Sequence, residues 1–256
     1  TDAGCNRKAI CQDGLCSRRV YRRCDRYRGK AGCVMKVYIP QIDSTVTCEA
    51  GCCQTIVIEN QKVLCDILND LADQSQGAEG KIVLSNEDKV LPMAKHAEMI
   101  SQFIPFDMNQ KGLITKIVNR MQQQATGEDY FLRMSTLVAE WEQLLLELST
   151  EMTGHISFSK VNIESLIKAA GVEVENVYDN LGEKLLDYFE LVQIYDHNKL
   201  FFLINLRSYL SDGEMEEFFE DVQNRGYTVL FIDAMEHPIS EREHRIIVDA
   251  DQCILC

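Results

Sequence analysis

The chain has 256 residues, 46% hydrophobic and 26% charged, with 26 Lys/Arg against 40 Asp/Glu and a formal charge of −14. The longest apolar runs, Leu200–Ile204 and Val229–Ile232, fall far short of the roughly 20 residues that cross a bilayer. No apolar stretch follows a basic start, so no secretory signal is read and the cytoplasm is the expected compartment. The acidic excess excludes a diffuse basic surface for nucleic acid, but not a basic stripe on an acidic body.

Residues 1–34 differ from the rest. They hold nine Lys/Arg against three Asp/Glu, a local balance of +6 that leaves −20 for the remainder, and five of the eleven cysteines. No helix or strand period organises their apolar residues, and the pattern changes at Met35. They are read as a non-native or disordered basic extension, with a nucleic-acid-binding arm as the alternative. The cysteine spacings match no zinc finger or ribbon. The terminal Cys253-Ile-Leu-Cys256 has no partner pair, so the cysteines are read as reduced, small apolar residues.

From Met35 the elements follow in order. Tyr38–Thr47 reads as one or two strands with a turn near Gln41–Asp43, and Thr55–Glu59 as a β-branched strand. Asn60 caps a helix whose face is Val63, Leu64, Ile67, Leu68 and Leu71. Lys81–Ser85 is another strand, and Pro92 and Pro105 bracket a short helix carrying Ile100, Phe103 and Ile104. Leu113–Gln124 and Asp129–Met152 are amphipathic helices, the second with a stripe of Leu137, Trp141, Leu144, Leu145, Leu148 and Met152. His155–Lys160 is an extended link. Asn162 then caps a third helix that stops at Gly171.

Leu181–Tyr195 is again helical. Leu200–Asn205, a helix opened by the Ser211/Glu214 capping box, and Thr228–Asp233 form a βαβ unit with a parallel sheet. Arg245–Val248 and Cys253–Leu255 are short final strands. The expected architecture is therefore an α/β body from 35–111 and 181–256, interrupted by a helical domain at 112–180.

A parallel sheet invites a test for nucleotide chemistry. A phosphate loop needs glycines followed by Lys and Ser/Thr, yet Glu59-Asn60-Gln61-Lys62 follows the first strand without a glycine. Val229–Asp233 has the apolar run plus Asp that holds magnesium in nucleotide hydrolases, a weak signal because any buried strand can end in Asp. No H-E-x-x-H, G-x-S-x-G or G-x-G-x-x-G occurs, and histidines 96, 155, 197, 237 and 244 are dispersed. Glu140, Glu147 and Glu151 share one helix face, an oxygen-rich set of the kind calcium takes. Lys111, Lys116 and Arg120 recur at about one turn, a stripe that can track phosphates. A solvated surface is the plain alternative for both.

Several segments in order resemble one family: MKVYIP from Met35, IVIENQ from Ile56, EGKIVLS from Glu79, FIPFDMN from Phe103, FLINLRSYL from Phe202 and IIVDADQC from Ile246. They cover about 35–256 and resemble the accessory spacer-acquisition protein of subtype II-A CRISPR systems, the Csn family. The resemblance implies a degenerate P-loop/RecA-like parallel-sheet head with an inserted α-helical leg, and no enzymatic activity. It further implies a calcium-stabilised homotetrameric ring that threads linear double-stranded DNA, working with the CRISPR integrase proteins and the RNA-guided CRISPR nuclease in antiviral defence. On that reading Lys111, Lys116, Arg120 and Arg133 contact DNA, and Glu140, Glu147 and Glu151 hold calcium. The rival expectations are an acidic protein scaffold, and a degenerate ATPase or metal-dependent nuclease using Asp233, Asp249 and Asp251.

Overall fold

The computed structural model describes residues 34–87, 89–196 and 199–255; the expectations placed on residues 1–33, His197 and Cys256 lie outside them. The chain divides into two compact units. One is Asp107–Val177, and the other is built from the described residues up to Phe106 and from Tyr178.

The flanking unit begins with β1 (Met35–Ile39), β2 (Ser44–Cys48), β3 (Cys53–Ile58), α1 (Gln61–Ser75), β4 (Val83–Asn86), β5 (Lys89–Leu91), α2 (Met93–His96) and β6 (Ala97–Ile100). The inserted unit contains α3 (Lys111–Ala125), α4 (Glu128–Thr150) and α5 (Ile163–Ala169). The flanking unit resumes with α6 (Leu181–Tyr195), β7 (Leu200–Ile204), α7 (Asp212–Arg225), β8 (Thr228–Asp233), β9 (Glu243–Val248) and β10 (Ile254–Leu255).

Two sheets organise the flanking unit. The larger has the order β10-β9-β3-β8-β7-β6 and is parallel except for the β9–β10 hairpin at its edge. The smaller, β2-β1-β4-β5, is antiparallel. The parallel strands are apolar on both faces because both are covered: β7 and β8 are buried along their whole length. Alternation along β3 sends Ile56 and Ile58 to one face and Cys53, Thr55 and Val57 to the other. On the first face Ile56 and Ile58 join Leu230, Ile232, Phe202 and Ile204. These pack with Val63, Leu64, Ile67 and Leu71 of α1 and with Val37, Ile39, Val46 and Leu84 of the small sheet. On the second face α6 and α7 supply the cover. Phe189 stacks on Phe201 with centroids 4.1 Å apart, and Phe219 meets Phe231 edge-on at 5.2 Å.

Caps set the helix limits. Asn60 accepts from the amides of Lys62 and Val63, Asn180 from Glu183, and Ser211 with Glu214 forms a complete capping box. Gly226 ends α7 at φ +70°, a left-handed conformation that glycine adopts without strain. The segment between Pro92 and Pro105 corrects the sequence expectation. The helix stops at His96, and Ala97–Ile100 is a strand in parallel register with Leu200–Leu203. A four-residue apolar run has too little length for periodicity to decide, and pairing with β7 decides it. Cys48 and Cys53 are buried free thiols, and burial pushes the Cys48 thiol up to about 12. Cys52 departs from the expectation of reduced cysteines and is disulfide-bonded.

In the inserted unit α3 buries Leu113 and Val118 and packs against α4 and α5. Asn109 and Val174 close the unit with a reciprocal pair: the Asn109 amide donates to the Val174 carbonyl at 3.2 Å, and the Val174 N–H donates to Asn109 Oδ1 at 2.7 Å. Gly171 takes the left-handed conformation at φ +66° just past α5. None of the helices among the described residues is long and apolar enough to cross a membrane.

Candidate functional site

In a parallel α/β sheet the turn after a strand is the natural place for a ligand, and β3 leads into α1 with only Glu59 and Asn60 between them. The Asn60 side chain fills the position an anion would take. Its Oδ1 accepts from Lys62 N–H at 3.1 Å and Val63 N–H at 3.2 Å, while its Nδ2 donates to the Ala250 carbonyl at 2.9 Å. Glu59 N–H donates to the Val248 carbonyl at 3.0 Å. The helix-terminal amides that would cradle a phosphate are thus engaged by the chain itself, and the junction is too short to wrap one.

Asp233 closes β8 opposite Val57 of β3. It is buried, its carboxylate oxygens have no hydrogen-bond partner among the described residues, and burial raises its pKa to about 6. Beneath the connection from β8 to β9 lies a charged group that sequence reading missed. Glu243 accepts from Thr55 Oγ1 at 2.8 Å and from the Arg207 guanidinium at 3.0 Å, and it also accepts from Arg245. Arg207 and Arg245 further donate to the Pro238 carbonyl, each at 3.1 Å, and Arg245 to His237 O at 2.6 Å. The only signal in the sequence is Glu243 and Arg245 at alternate positions of one strand, which fits a solvated face equally well.

Asp249 accepts from the amides of Asp251 and Cys253 and so shapes the β9–β10 turn. Asp233, Asp249 and Asp251 therefore do not form the metal-binding trio of the nuclease alternative, and no group of three His, Cys, Asp or Glu among the described residues is placed to hold a metal ion.

The inserted unit carries the remaining candidates. Lys111 and Arg120 are exposed on α3 and Arg133 on α4, and none of the three forms an ion pair among the described residues. Lys116 is half-buried. Glu140, Glu147 and Glu151 are exposed, and Glu147 accepts from Gln143 at 2.9 Å. At about 1.5 Å rise per residue, Glu140 stands about 10 Å from Glu147 along the axis and Glu151 about 6 Å beyond. Calcium–oxygen bonds of about 2.3–2.6 Å cannot join all three carboxylates to one ion.

The apolar stripe of α4 is the larger departure. The sequence pattern implies a covered face, yet α4 buries none of its residues. Along the stripe Leu137 is 48% exposed, Trp141 46%, Leu144 44% and Leu148 45%. Bare apolar surface of this extent on one helix is unusual for a soluble domain.

These features define a mixed α/β protein with a parallel sheet, a helical insertion and no phosphate cradle after β3. Residues 74–252 match the family described as CRISPR-associated protein (Cas_Csn2). The CRISPR-associated protein Csn2 of Enterococcus faecalis is 21% identical over 152 residues, covering 59% of this chain and 68% of that protein. The crystal structure of Stu0660 of Streptococcus thermophilus superposes with a TM-score of 0.53 at 12% identity, over 84% of this chain and 75% of that one. The chain belongs to the CRISPR-associated Csn2 family.

Proposed function

We propose that this CRISPR-associated protein is a non-catalytic binder of linear double-stranded DNA. It works in the cytoplasm as a homotetrameric ring that supports spacer acquisition alongside the integrase proteins and the RNA-guided nuclease. The observation that carries the reading is the bare apolar face of α4, because a helix of this kind needs a partner and a second copy is always at hand. Lys111 and Arg120 on α3 and Arg133 on α4, exposed and without an ion pair among the described residues, supply phosphate contacts, with Lys116 also on α3. Such contacts are independent of base sequence and weaken with salt. The engaged amides after β3 favour a binder over a nucleotide hydrolase. Calcium enters this reading as an ion between copies, since Glu147 and Glu151 offer too few oxygens alone and Glu140 stands too far along the helix to join them.

The test is a gel shift of the full chain with linear and closed-circular duplexes of equal length, in calcium and in chelator. Calcium-dependent retention of the linear duplex alone supports the ring. Equal binding of both forms, or of neither, removes it and leaves an acidic scaffold for a basic protein. The exposed carboxylates Glu216, Glu217 and Glu220 on α7 favour that second reading.

A further inference from the structure

β8 and β9 both run parallel to β3 and lie on either side of it, so the chain must return from the end of β8 to the start of β9. Parallel strands are usually joined by a helix. Here residues 234–242 make the return without helix or strand. Asp233, Glu243 and Arg245 share one side of the sheet with Thr55, as their register on β3 requires, and the strap lies over them.

The strap is held by side chains. At one end Ala234 N–H donates to Asn205 Oδ1 at 2.8 Å. In the middle the His237 and Pro238 carbonyls accept from Arg207 and Arg245. At the far end Ser240 N–H donates to Glu243 at 3.0 Å, and Arg242 pairs with Glu220 at 2.9 Å. Glu243 thus takes one terminal N–H from each guanidinium, the Nε of both arginines stays buried without a partner, and the neighbouring Asp233 carboxyl is left buried with no donor to either oxygen among the described residues. A carboxyl in that position is tolerated neutral and resists ionisation, while exposure to water relieves the ionised form.

We propose that residues 234–242 are a proton-controlled strap: a proton on Asp233 keeps the strap closed over the sheet, and ionisation of Asp233 favours its release.

The direction follows from linkage. Burial holds the Asp233 pKa at about 6, against 3.8 for a solvated aspartate. The closed form therefore binds the proton more tightly than an open form in which water reaches the carboxyl. Raising the pH through that range loosens the strap, by up to about a hundredfold in the opening equilibrium. The charged groups that face Asp233 are Arg207 after β7 and Glu243 and Arg245 on β9; the arginines favour its ionised form and Glu243 opposes it. His237 lies in the strap itself. Burial first, and then Arg207 and Arg245, lower its pKa, with Asp212 and Glu243 acting the other way. Its protonation at the acid end would also favour opening, so the strap is tightest at mildly acidic pH.

Hydrogen exchange read by mass spectrometry on the full chain between pH 5.5 and 8, corrected for the intrinsic pH dependence of exchange, tests this. The protected amides of Ala234, Ser240 and Arg242 should lose up to about a hundredfold of protection as pH rises, while those of β3 and β8 stay constant. In Asp233→Asn, which keeps the shape of the side chain, strap protection should stay high throughout. Constant protection in the wild type, or the same pH dependence in the variant, overturns the proposal. The carboxyl carbon resonance of Asp233 in the wild-type chain guards against a misfolded variant. Its titration midpoint must coincide with the loss of protection, and a carboxyl that does not titrate in this range overturns the proposal equally.

Discussion

The flanking unit and the inserted unit spend their apolar residues in opposite ways. In the first, β7 and β8 are buried from end to end and Phe231 is enclosed by Phe218 and Phe219. In the second, the longest helix of the described residues buries nothing, although Trp141, Leu144 and Leu148 lie along it. As sequence, the stripe of α4 looks like that of α1, which buries Val63, Leu64, Ile67 and Leu71. The difference teaches that an amphipathic stripe reports a face to be covered and not which chain covers it.

The sharpest way to break the comparison is a matched pair of truncations. Phe231→Ala should lower the unfolding free energy by about 3–5 kcal/mol in urea denaturation, as a large core deletion does. Trp141→Ala should leave that of the separated chain within about 0.5 kcal/mol, as an exposed substitution does. An equally large loss from Trp141→Ala in the separated chain would mean that α4 is covered within one chain. Asp233→Asn runs the other way. Because burial raises the Asp233 pKa to about 6, its ionised form destabilises the fold above that pH, and the penalty fades as pH falls toward 4. The variant should therefore be more stable than wild type at pH 7.5, by at most about 3 kcal/mol, with no gain at pH 4. Equal stability at both pH values would show that the carboxyl is solvated.

On the assembly side, Trp141→Glu should weaken self-association by about 2 kcal/mol or more, the scale of a buried aromatic anchor. Sedimentation equilibrium of the wild type and the variant reads this directly, and an unchanged oligomer would move the interface off α4. The smallest effect is expected from Asn60→Ala, which removes an N-cap and the bond to Ala250 and should cost about 1 kcal/mol. For DNA, each of Lys111→Ala, Arg120→Ala and Arg133→Ala should reduce the slope of log affinity against log salt by about one.

Local chemistry was legible wherever one residue decides an outcome. Asn60, Ser211 with Glu214, Gly171 and Gly226 mark helix ends in the sequence and mark them in the structure. The buried strands at Leu200–Ile204 and Thr228–Asp233 were legible because an unbroken apolar run of that length fits little else. Ala97–Ile100 was not, since its state depends on pairing with residues a hundred positions away. The charged group under the strap was hidden for the same reason: Thr55, Arg207 and Glu243 meet only through the fold. The candidate residues of the inserted unit were readable one by one. Helical spacing puts Glu140, Glu147 and Glu151 on one face, yet it also separates them beyond the reach of a single ion.

The strand order has a consequence for biosynthesis. β3 pairs with β8 and β9 alone, and the ribosome reaches Thr228 long after it has passed Ile58. At about 5–20 residues per second the nascent chain carries an unpaired β3 for roughly 10–35 seconds while the whole inserted unit is translated. Once α4 has been made, its bare apolar face is exposed beside the unpaired β3 for the rest of that interval. Slowing translation across the inserted unit should therefore raise the yield of aggregated chain, and supplying a holding chaperone should restore it.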